Sequence, residues 1–370
     1  MFSEERKKIL KMLEDGKITV DEAERLLIAL HENSKKDESA DDQTGEESTA
    51  LSEFVDWDRW DERKQTYKQH ASGFKFSQFI ENFIQKVKDV DLDFNFGPYE
   101  RVKHIYQDRS DDFQEVKLKL KNGSIEWIPW EYDYVQIDCD AQVYRVAGSE
   151  EARNKFLRAV RFEIANGTLF FGSDARDVKI RATVHVPAKN YEFIECKVFN
   201  GSVTGQDVTA RELEVKTVNG NVSFANAEMY KGEIETSNGS VTIQGNANRL
   251  EVESLNGAID LSGHFRNLEA ENFSGAITAD VLAEGNVSFK STIGTVQVFV
   301  PRDVQVNGKL STALGSVKCE LHSFEVVDEK KEMAQRYLHF VTNRKESEIL
   351  SLEAHTKTGA IQVMEREAQR

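Results

Sequence analysis

The chain has 370 residues, a formal net charge of −16, and hydrophobic residues at 39% of its positions. This length can bury a large core, and no apolar run approaches the roughly 18 residues of a membrane-spanning helix. The acidic balance disfavours nucleic-acid binding, because such a surface repels phosphate. Three cysteines without a CxxC pair argue against a disulfide framework or a zinc knuckle. Since no signal-peptide pattern opens the sequence, the expected compartment is the cytoplasm.

Residues 1–30 are predicted to form a helical hairpin. Gly16 ends the first helix, and Thr19 with Glu22 forms a capping box that opens the second. The second helix carries an apolar stripe that includes Leu26, Leu27 and Leu30. Because so small a hairpin cannot bury this stripe alone, these leucines are the candidate residues for self-association or partner docking. A hairpin that folds back to cap the rest of the chain is the alternative.

Two further segments precede the main domain. Residues 31–72 are mostly acidic and polar without apolar periodicity, which predicts a flexible linker. Residues 73–112 are predicted to contain an amphipathic helix over 76–90 and a lead-in. The apolar side of that helix recurs every three to four residues, at Phe76, Phe79, Ile80, Phe83, Ile84 and Val87. It could cover the end or flank of the main domain, or present a face to a partner or a membrane surface.

A repeat of 18–19 residues dominates the second half of the chain. It aligns on six glycines, four of them preceded by asparagine: Gly201, Gly220, Gly239, Gly257, Gly275 and Gly294. An apolar residue recurs two positions after each of these glycines and again five positions before it, with mostly charged or hydroxylated residues between. This alternation predicts strands with one face buried.

The Asn-Gly dipeptides have two possible roles. They could close antiparallel hairpins, or they could form the corners of coils whose equivalent strands stack in parallel. The fixed apolar offsets favour stacking, since stacked coils need that regularity and a meander does not. The sequence therefore predicts a mainly β protein with a parallel β-solenoid over 113–364 and a tail at 365–370. Stacked corner asparagines would share amide hydrogen bonds.

The pattern extends beyond the six repeats with longer spacings, at Gly123, Gly167, Gly315 and Gly359. These spacings predict inserted strands or degenerate coils, and residues 325–346 are predicted to be an exposed excursion. The open ends of a solenoid need caps. The 76–90 helix, together with Trp130, Tyr132 and Tyr134, supplies candidates for one end.

The sequence carries few residue patterns typical of catalysis or metal binding. The sequence contains no GxxxxGK[ST], HExxH or GxSxG motif, and it predicts no cofactor and no metal site. The cysteines fall on inward strand positions, which favours buried structural thiols. The outward positions show no stacked acid pair of the kind that a polysaccharide-cleaving β-helix needs. No catalytic residue is predicted.

The stretch VPAKNYEFIECKVFNGSV, residues 186–203, resembles the bacterial putative-adhesin or β-strand repeat family. The N-terminal stretch ERKKILKMLEDGKITVDEAERLL, residues 5–27, looks like the short helical domain of its LiaX-type members. This resemblance implies a β-solenoid without catalytic residues and a role in the cell-envelope stress response. LiaX-type proteins are known at the cell surface and as binders of membrane-active antimicrobial peptides.

The expected function is therefore a non-catalytic scaffold or binding protein of the envelope-stress response. Its expected partners are membrane-associated envelope-stress proteins or cationic peptides, with a homo-oligomer formed through the hairpin. The expected location is cytoplasmic or membrane-peripheral, with the cell surface as the alternative. The competing function is a polysaccharide-binding or polysaccharide-modifying β-helix, which a line of outward aromatic residues would favour.

Overall fold

The computed structural model describes residues 97–109, 112–332, 335–342 and 349–366. Within these ranges the chain is mainly β, as predicted, with 21 strands in one sheet and one helix. The elements are β1 (Tyr99–Asp108), β2 (Glu115–Trp130), β3 (Val135–Tyr144), α1 (Ser149–Ala159), β4 (Arg161–Ala165), β5 (Thr168–Ser173), β6 (Val178–Pro187), β7 (Tyr191–Asn200), β8 (Val203–Gln206), β9 (Thr209–Asn219), β10 (Val222–Asn238), β11 (Val241–Asn256), β12 (Ile259–Ser274), β13 (Ile277–Val281), β14 (Gly285–Ile293), β15 (Val296–Val300), β16 (Gln305–Leu314), β17 (Val317–Glu320), β18 (Glu325–Glu332), β19 (Gln335–Val341), β20 (Ile349–Thr358) and β21 (Ile361–Glu365).

The central strands stack in parallel, which confirms the solenoid-like arrangement. Val222 pairs with Val241, Val241 with Ile259, and Ile259 with Ile277. The same register continues in both directions, so one inward column contains Ile125, Val203, Val222, Val241, Ile259, Ile277, Val296, Ile361 and Val317. A second inward column, five residues before the glycines, runs from Leu118 and Cys196 through Ile234 to Ala354 and Leu310. Both columns belong to one continuous core.

The glycines form a column of their own at the corners of the coils. A Cβ atom on Gly239 would lie 2.0 Å from the carbonyl oxygen of Gly220, and one on Gly257 would lie 2.0 Å from that of Gly239. Any side chain there would push successive backbones apart. The corner therefore needs glycine because the coils approach one another so closely.

The asparagines before these glycines form a ladder of side-chain amide bonds. Asn219 Nδ2 donates to Asn200 Oδ1 at 2.8 Å, Asn238 donates to Asn219 at 2.9 Å, and Asn256 donates to Asn238 at 3.1 Å. Asn200 donates in turn to Asn122 at 2.9 Å. This shared bonding, expected from the sequence, links five coils in one direction along the stack.

The N-terminal part of the sheet departs from the repeat. β1 pairs antiparallel with β3, β3 pairs antiparallel with β6, and β6 lies parallel to the second half of β2. β1 occupies residues that the sequence assigned to a lead-in, and α1 interrupts a region expected to be almost wholly β. Ala152 and Phe156 of α1 are buried and anchor it to the core. The apolar pattern of α1 is too short to distinguish it from strand.

Gly167 does not belong to the glycine column, and its assignment as an outlying repeat position was wrong. β4 and β5 pair antiparallel, and the connection between them is Asn166-Gly167 with φ angles of +51° and +76°. Two successive left-handed residues form the tight hairpin turn that Asn-Gly favours. Leu169 and Phe171 consequently pair with Val116 and Leu118, in the column that precedes the glycines.

The C-terminal coils do not stack in sequence order. β14 and β15 pair with β20 and β21, which pair on their other side with β16 and β17. The last strands of the chain therefore insert between two coils that precede them in sequence. β18 and β19, within the predicted excursion, form an antiparallel hairpin whose second strand pairs with β16. Phe340 of β19 is fully buried, so this hairpin covers the edge of the last coil.

The predicted hairpin at 1–30, the linker at 31–72 and the amphipathic helix at 76–90 lie outside the described residues.

Candidate functional site: an acidic outer face

Glutamates stack on the outer face of the central coils. Since side chains alternate across a strand, residues four and six positions before each corner glycine point away from the core. Parallel pairing in register places equivalent glutamates of successive coils about 4.8 Å apart. We call these eight residues the acidic face: Glu195, Glu214, Glu233, Glu251 and Glu269 in one row, and Glu235, Glu253 and Glu271 in the neighbouring row.

Basic side chains interleave with the carboxylates. Lys216 Nζ lies 2.8 Å from a Glu214 oxygen and 3.2 Å from a Glu233 oxygen, and it therefore bridges two coils. Lys290 Nζ lies 2.6 Å from Glu271 and 3.1 Å from Glu269. The other basic residues in contact with the face within the described residues are Lys119, Lys197 and Arg249.

At the first coils of the acidic face, burial and neighbouring charges shift the pKa values of Lys216 and Glu195 in opposite directions. Burial alone would lower the pKa of Lys216, but Glu235, Glu233 and Glu214 together raise it above its ordinary value. Burial alone would raise the pKa of Glu195, but Lys197 and Lys119 lower it overall. Both groups are therefore held in their charged forms. A general acid needs the opposite shift, a raised carboxyl pKa, so Glu195 is suited to binding charge and not to donating a proton.

The stacked glutamates correct one expectation from the sequence. The sequence predicts a mixture of residue types at the outward positions and no stacked acid pair, whereas Glu251 pairs with Glu269 and Glu253 pairs with Glu271. The signal was present in the spacing, since these residues recur at fixed distances before the glycines. The offsets alone do not reveal a row, because the glutamates become neighbours only when the coils stack in register.

An apolar row runs beside the acidic face and was also missed. It consists of the residues two positions before the glycines, namely Phe199, Val218, Leu255 and Phe273, interrupted by Ser237. None of these four apolar side chains belongs to the core or packs against it. Leu255 is nevertheless only 7% exposed, and the other three are half-buried. The outer surface therefore joins an apolar row to an acidic one.

The predicted site residues divide into two groups. Gly201, Gly220, Gly239, Gly257, Gly275 and Gly294 lie at successive corners of the stack, each against the glycine of the coil before it. The candidate docking residues Leu26, Leu27 and Leu30 lie outside the described residues.

The aromatic residues proposed as an end cap cluster where β2 passes into β3. Trp130 stacks on His185 of β6 with ring centroids 4.9 Å apart, and its Nε1 donates to the Tyr134 carbonyl oxygen at 2.8 Å. Tyr132 lies beside Trp130 and is 60% exposed. The cluster fixes the β2–β3 connection and does not extend as a line along the coils.

The cysteines are poor nucleophiles. Cys139 and Cys196 are buried and Cys319 is half-buried. Burial raises the pKa of the Cys139 and Cys319 thiols to about 12 and also raises that of Cys196. Thiols in this state are protonated at neutral pH and act as small apolar groups.

The described residues also contain neither a metal-ligand cluster nor a helix long enough to span a membrane. No group of three or more His, Cys, Asp or Glu side chains there is placed to hold a metal ion. The helix α1, with 11 residues, does not have the length to cross a bilayer, and no other helix is found in this part of the chain.

Comparisons with known proteins agree with this architecture. Residues 145–363 match the family model Toastrack DUF4097, and residues 4–35 match a SHOCT-like domain. The protein YvlB of Bacillus subtilis (strain 168) is 35% identical over 367 residues, which cover 98% of this chain and 99% of YvlB.

Solved structures of low sequence identity also match. A putative adhesin from Bacteroides fragilis has 14% identity and a TM-score of 0.40, covering 72% of this chain and 97% of its own. A putative cell adhesion protein from Clostridium sporogenes has 12% identity and a TM-score of 0.29, covering 72% and 100%. Because the Toastrack model matches more than half of the chain, and YvlB aligns over nearly all of it, the chain belongs to the Toastrack DUF4097 family.

Proposed function

We propose that this protein is a non-catalytic binding scaffold whose acidic face takes a cationic segment of another protein or a cationic peptide. The observation that carries the proposal is the stacking of eight glutamates in two rows across five coils. A row with a repeat of about 4.8 Å presents negative charge along a line. An extended or helical segment with several lysines or arginines complements such a line better than a single ion does.

The setting that we propose is the cell-envelope stress response, with the protein at or near the membrane. The resemblance of residues 5–27 to the helical domain of LiaX-type proteins supports this setting. In this proposal the N-terminal hairpin, with Leu26, Leu27 and Leu30, supplies self-association or docking to a membrane-associated partner, while the stack supplies the binding face.

The test is binding of a synthetic lysine-rich amphipathic peptide, measured by fluorescence anisotropy at several salt concentrations. The variant Glu233→Gln/Glu251→Gln/Glu269→Gln removes three charges from one row of the acidic face. We expect it to bind about tenfold more weakly, a loss of about 1.4 kcal/mol, and to show a weaker salt dependence.

The matched control is Glu150→Gln/Glu284→Gln/Glu320→Gln, which removes the same charge from exposed positions elsewhere. The whole chain has a net charge of −16. An equal loss of peptide affinity in the control would therefore mean that only the overall charge attracts the peptide. That result, or unchanged binding by the first variant, contradicts the proposal. Fractionation of cells before and after envelope stress tests the proposed location.

A further inference from the structure

We propose that a groove on the outward side of β11, β12 and β13 binds a neutral saccharide. The groove has a volume of about 330 Å³, at the lower end of the range for small-molecule sites. It lies on strand segments that follow the corner glycines, whereas the acidic face lies on segments that precede them. Its floor and sides are formed by polar side chains of three successive coils, namely Thr242, Gln244, Asp260, Ser262, Thr278 and Asp280.

The register of the strands sets these side chains in two parallel rows. The first row is three positions after the glycines and the second is five positions after them, so both point away from the core. The rows contain Thr242, Asp260 and Thr278, and Gln244, Ser262 and Asp280, respectively. Neighbours within a row are about 4.8 Å apart. A ligand in the groove therefore meets hydrogen-bonding groups from several coils at once.

Phe299 and Arg366 form a wall at one end of the groove. Phe299 follows Asp280 in the second row, because β15 pairs with β13. The backbone N–H of Arg366 donates to the Val300 carbonyl oxygen at 2.9 Å. From there its side chain crosses β15, and its Nε lies 3.3 Å from Asp280 Oδ2. The wall exists because β21 inserts beside β15, so the last strand completes a site that earlier coils begin.

The polar lining fits a ligand that both donates and accepts hydrogen bonds. A carboxylate only accepts, a guanidinium only donates, and a hydroxyl or an amide side chain does both. Asp260 is exposed and forms no ion pair within the part of the chain that the structure describes, so it can accept bonds from ligand hydroxyl groups. Arg366 disfavours a cationic ligand, and Asp260 disfavours an anionic one. The hydroxyl groups of a neutral sugar satisfy both.

Phe299 supplies the apolar part of the groove. Its side chain is half-buried and points outward, between the inward residues Val298 and Val300. The C–H face of a sugar ring packed against this phenyl ring removes apolar surface from water, while the hydroxyl groups stay hydrogen-bonded. A single aromatic residue at one end, without a line of them along the coils, suits one or two sugar units and not a long polysaccharide.

The test is saturation-transfer NMR of the full-length protein with three neutral probes in excess, namely maltotriose, cellotriose and chitotriose. We expect saturation to reach the ring protons of at least one of them, and titration of that probe then gives its affinity. Absence of transfer to all three probes overturns the proposal.

Two variants locate the bound probe. Thr278→Tyr fills the middle of the groove from an outward position and should weaken binding by at least about tenfold. The matched control Thr204→Tyr places the same side chain at the equivalent position of an earlier coil, outside the groove, and should leave the affinity unchanged. Asp260→Ala removes an acceptor without breaking an internal ion pair and should weaken binding about tenfold.

Saccharide binding that both Thr278→Tyr and Asp260→Ala leave intact lies elsewhere on the molecule and overturns the proposal. The same holds if Thr204→Tyr weakens binding as much as Thr278→Tyr does. The lysine-rich peptide that tests the acidic face is a further probe. If Thr278→Tyr weakens binding of the peptide and no sugar binds, the groove takes a basic segment and the proposal is wrong. The glutamate variants of the acidic face should not change saccharide binding, so failure of this inference is distinguishable from failure of the proposed function.

Discussion

The coils that carry Gly201 to Gly294 and the hairpin of β4 and β5 use the same dipeptide in opposite ways. Asn200-Gly201 turns a corner, after which the chain returns one coil further along the stack. Asn166-Gly167 reverses the chain, which pairs with itself. Gly201 has a φ angle of +147° and touches the backbone of Gly123, whereas Gly167 has a φ angle of +76° and no neighbour within 4 Å of a built Cβ. The role of Asn-Gly is therefore decided by whether another coil lies against it.

The largest difference in stability between the stacked coils and the β4–β5 hairpin is expected when an apolar residue is replaced by a charged one. Ile259 is fully buried at the middle of an inward column, whereas Ile164 of β4 is half-buried at the edge of the sheet. We expect Ile259→Asp to reduce the free energy of unfolding by several kcal/mol and to disturb neighbouring coils, because a buried unpaired carboxylate is not compensated. Ile164→Asp should cost distinctly less in urea denaturation. Thr242→Asp, on the outer side, is the surface control, and equal losses for all three would contradict the assignment of faces.

Replacing a corner glycine by alanine should cost more stability than replacing the hairpin glycine, and this is the next largest difference. In Gly239→Ala the new methyl group would meet the Gly220 carbonyl, so the coils must separate, at a cost of about 3 kcal/mol or more. In Gly167→Ala the methyl group meets open space, and only the left-handed conformation is penalised, by about 1–2 kcal/mol. Thermal unfolding of the two variants measures the contrast. A Gly167→Ala variant that is as unstable as Gly239→Ala would mean that close approach is not what selects glycine in the stack.

Replacing asparagine by glycine should give the smallest effect and the sharpest comparison. Asn238→Gly removes two amide bonds of the ladder, one donated to Asn219 and one accepted from Asn256, and should cost about 1–2 kcal/mol. Asn166→Gly should be close to neutral, because glycine adopts the φ angle of +51° at least as readily as asparagine. Chemical denaturation of the pair decides the matter, and equal effects would show that the ladder contributes no stability.

Most of the repeat could be predicted from the sequence because its signals are local and repeated. The fixed offset of Val222, Val241, Ile259 and Ile277 from their glycines predicts one column, and the pairing of strands confirms it. The outer face was predicted less well. Glu251, Glu253 and Leu255 also lie at fixed offsets from their glycine. Such residues form a row on the surface only when the coils stack in register, which the spacing alone does not show.

The helix α1 and the strand β1 show a second limit. Their residues carry no repeat spacing, and both are held by contacts with strands distant in sequence. Tyr99 of β1 pairs with Tyr144, and Phe156 of α1 enters the core shared by all the coils. The sequence pattern within α1 or β1 therefore does not predict these contacts.

The sequence by itself determined that the chain forms stacked coils, where their corners lie, and which side chains face inward. Alternation across a strand and the glycine required at each close approach are properties of single residues in their own coil. Only the tertiary structure decided the order of the last coils, with β20 and β21 inserted between β14–β15 and β16–β17, and the use of Asn166-Gly167 as a hairpin. The physical reason is that both edges of a coil present equivalent unpaired backbone groups. The choice of the strand that fills an edge therefore depends on packing across the whole stack.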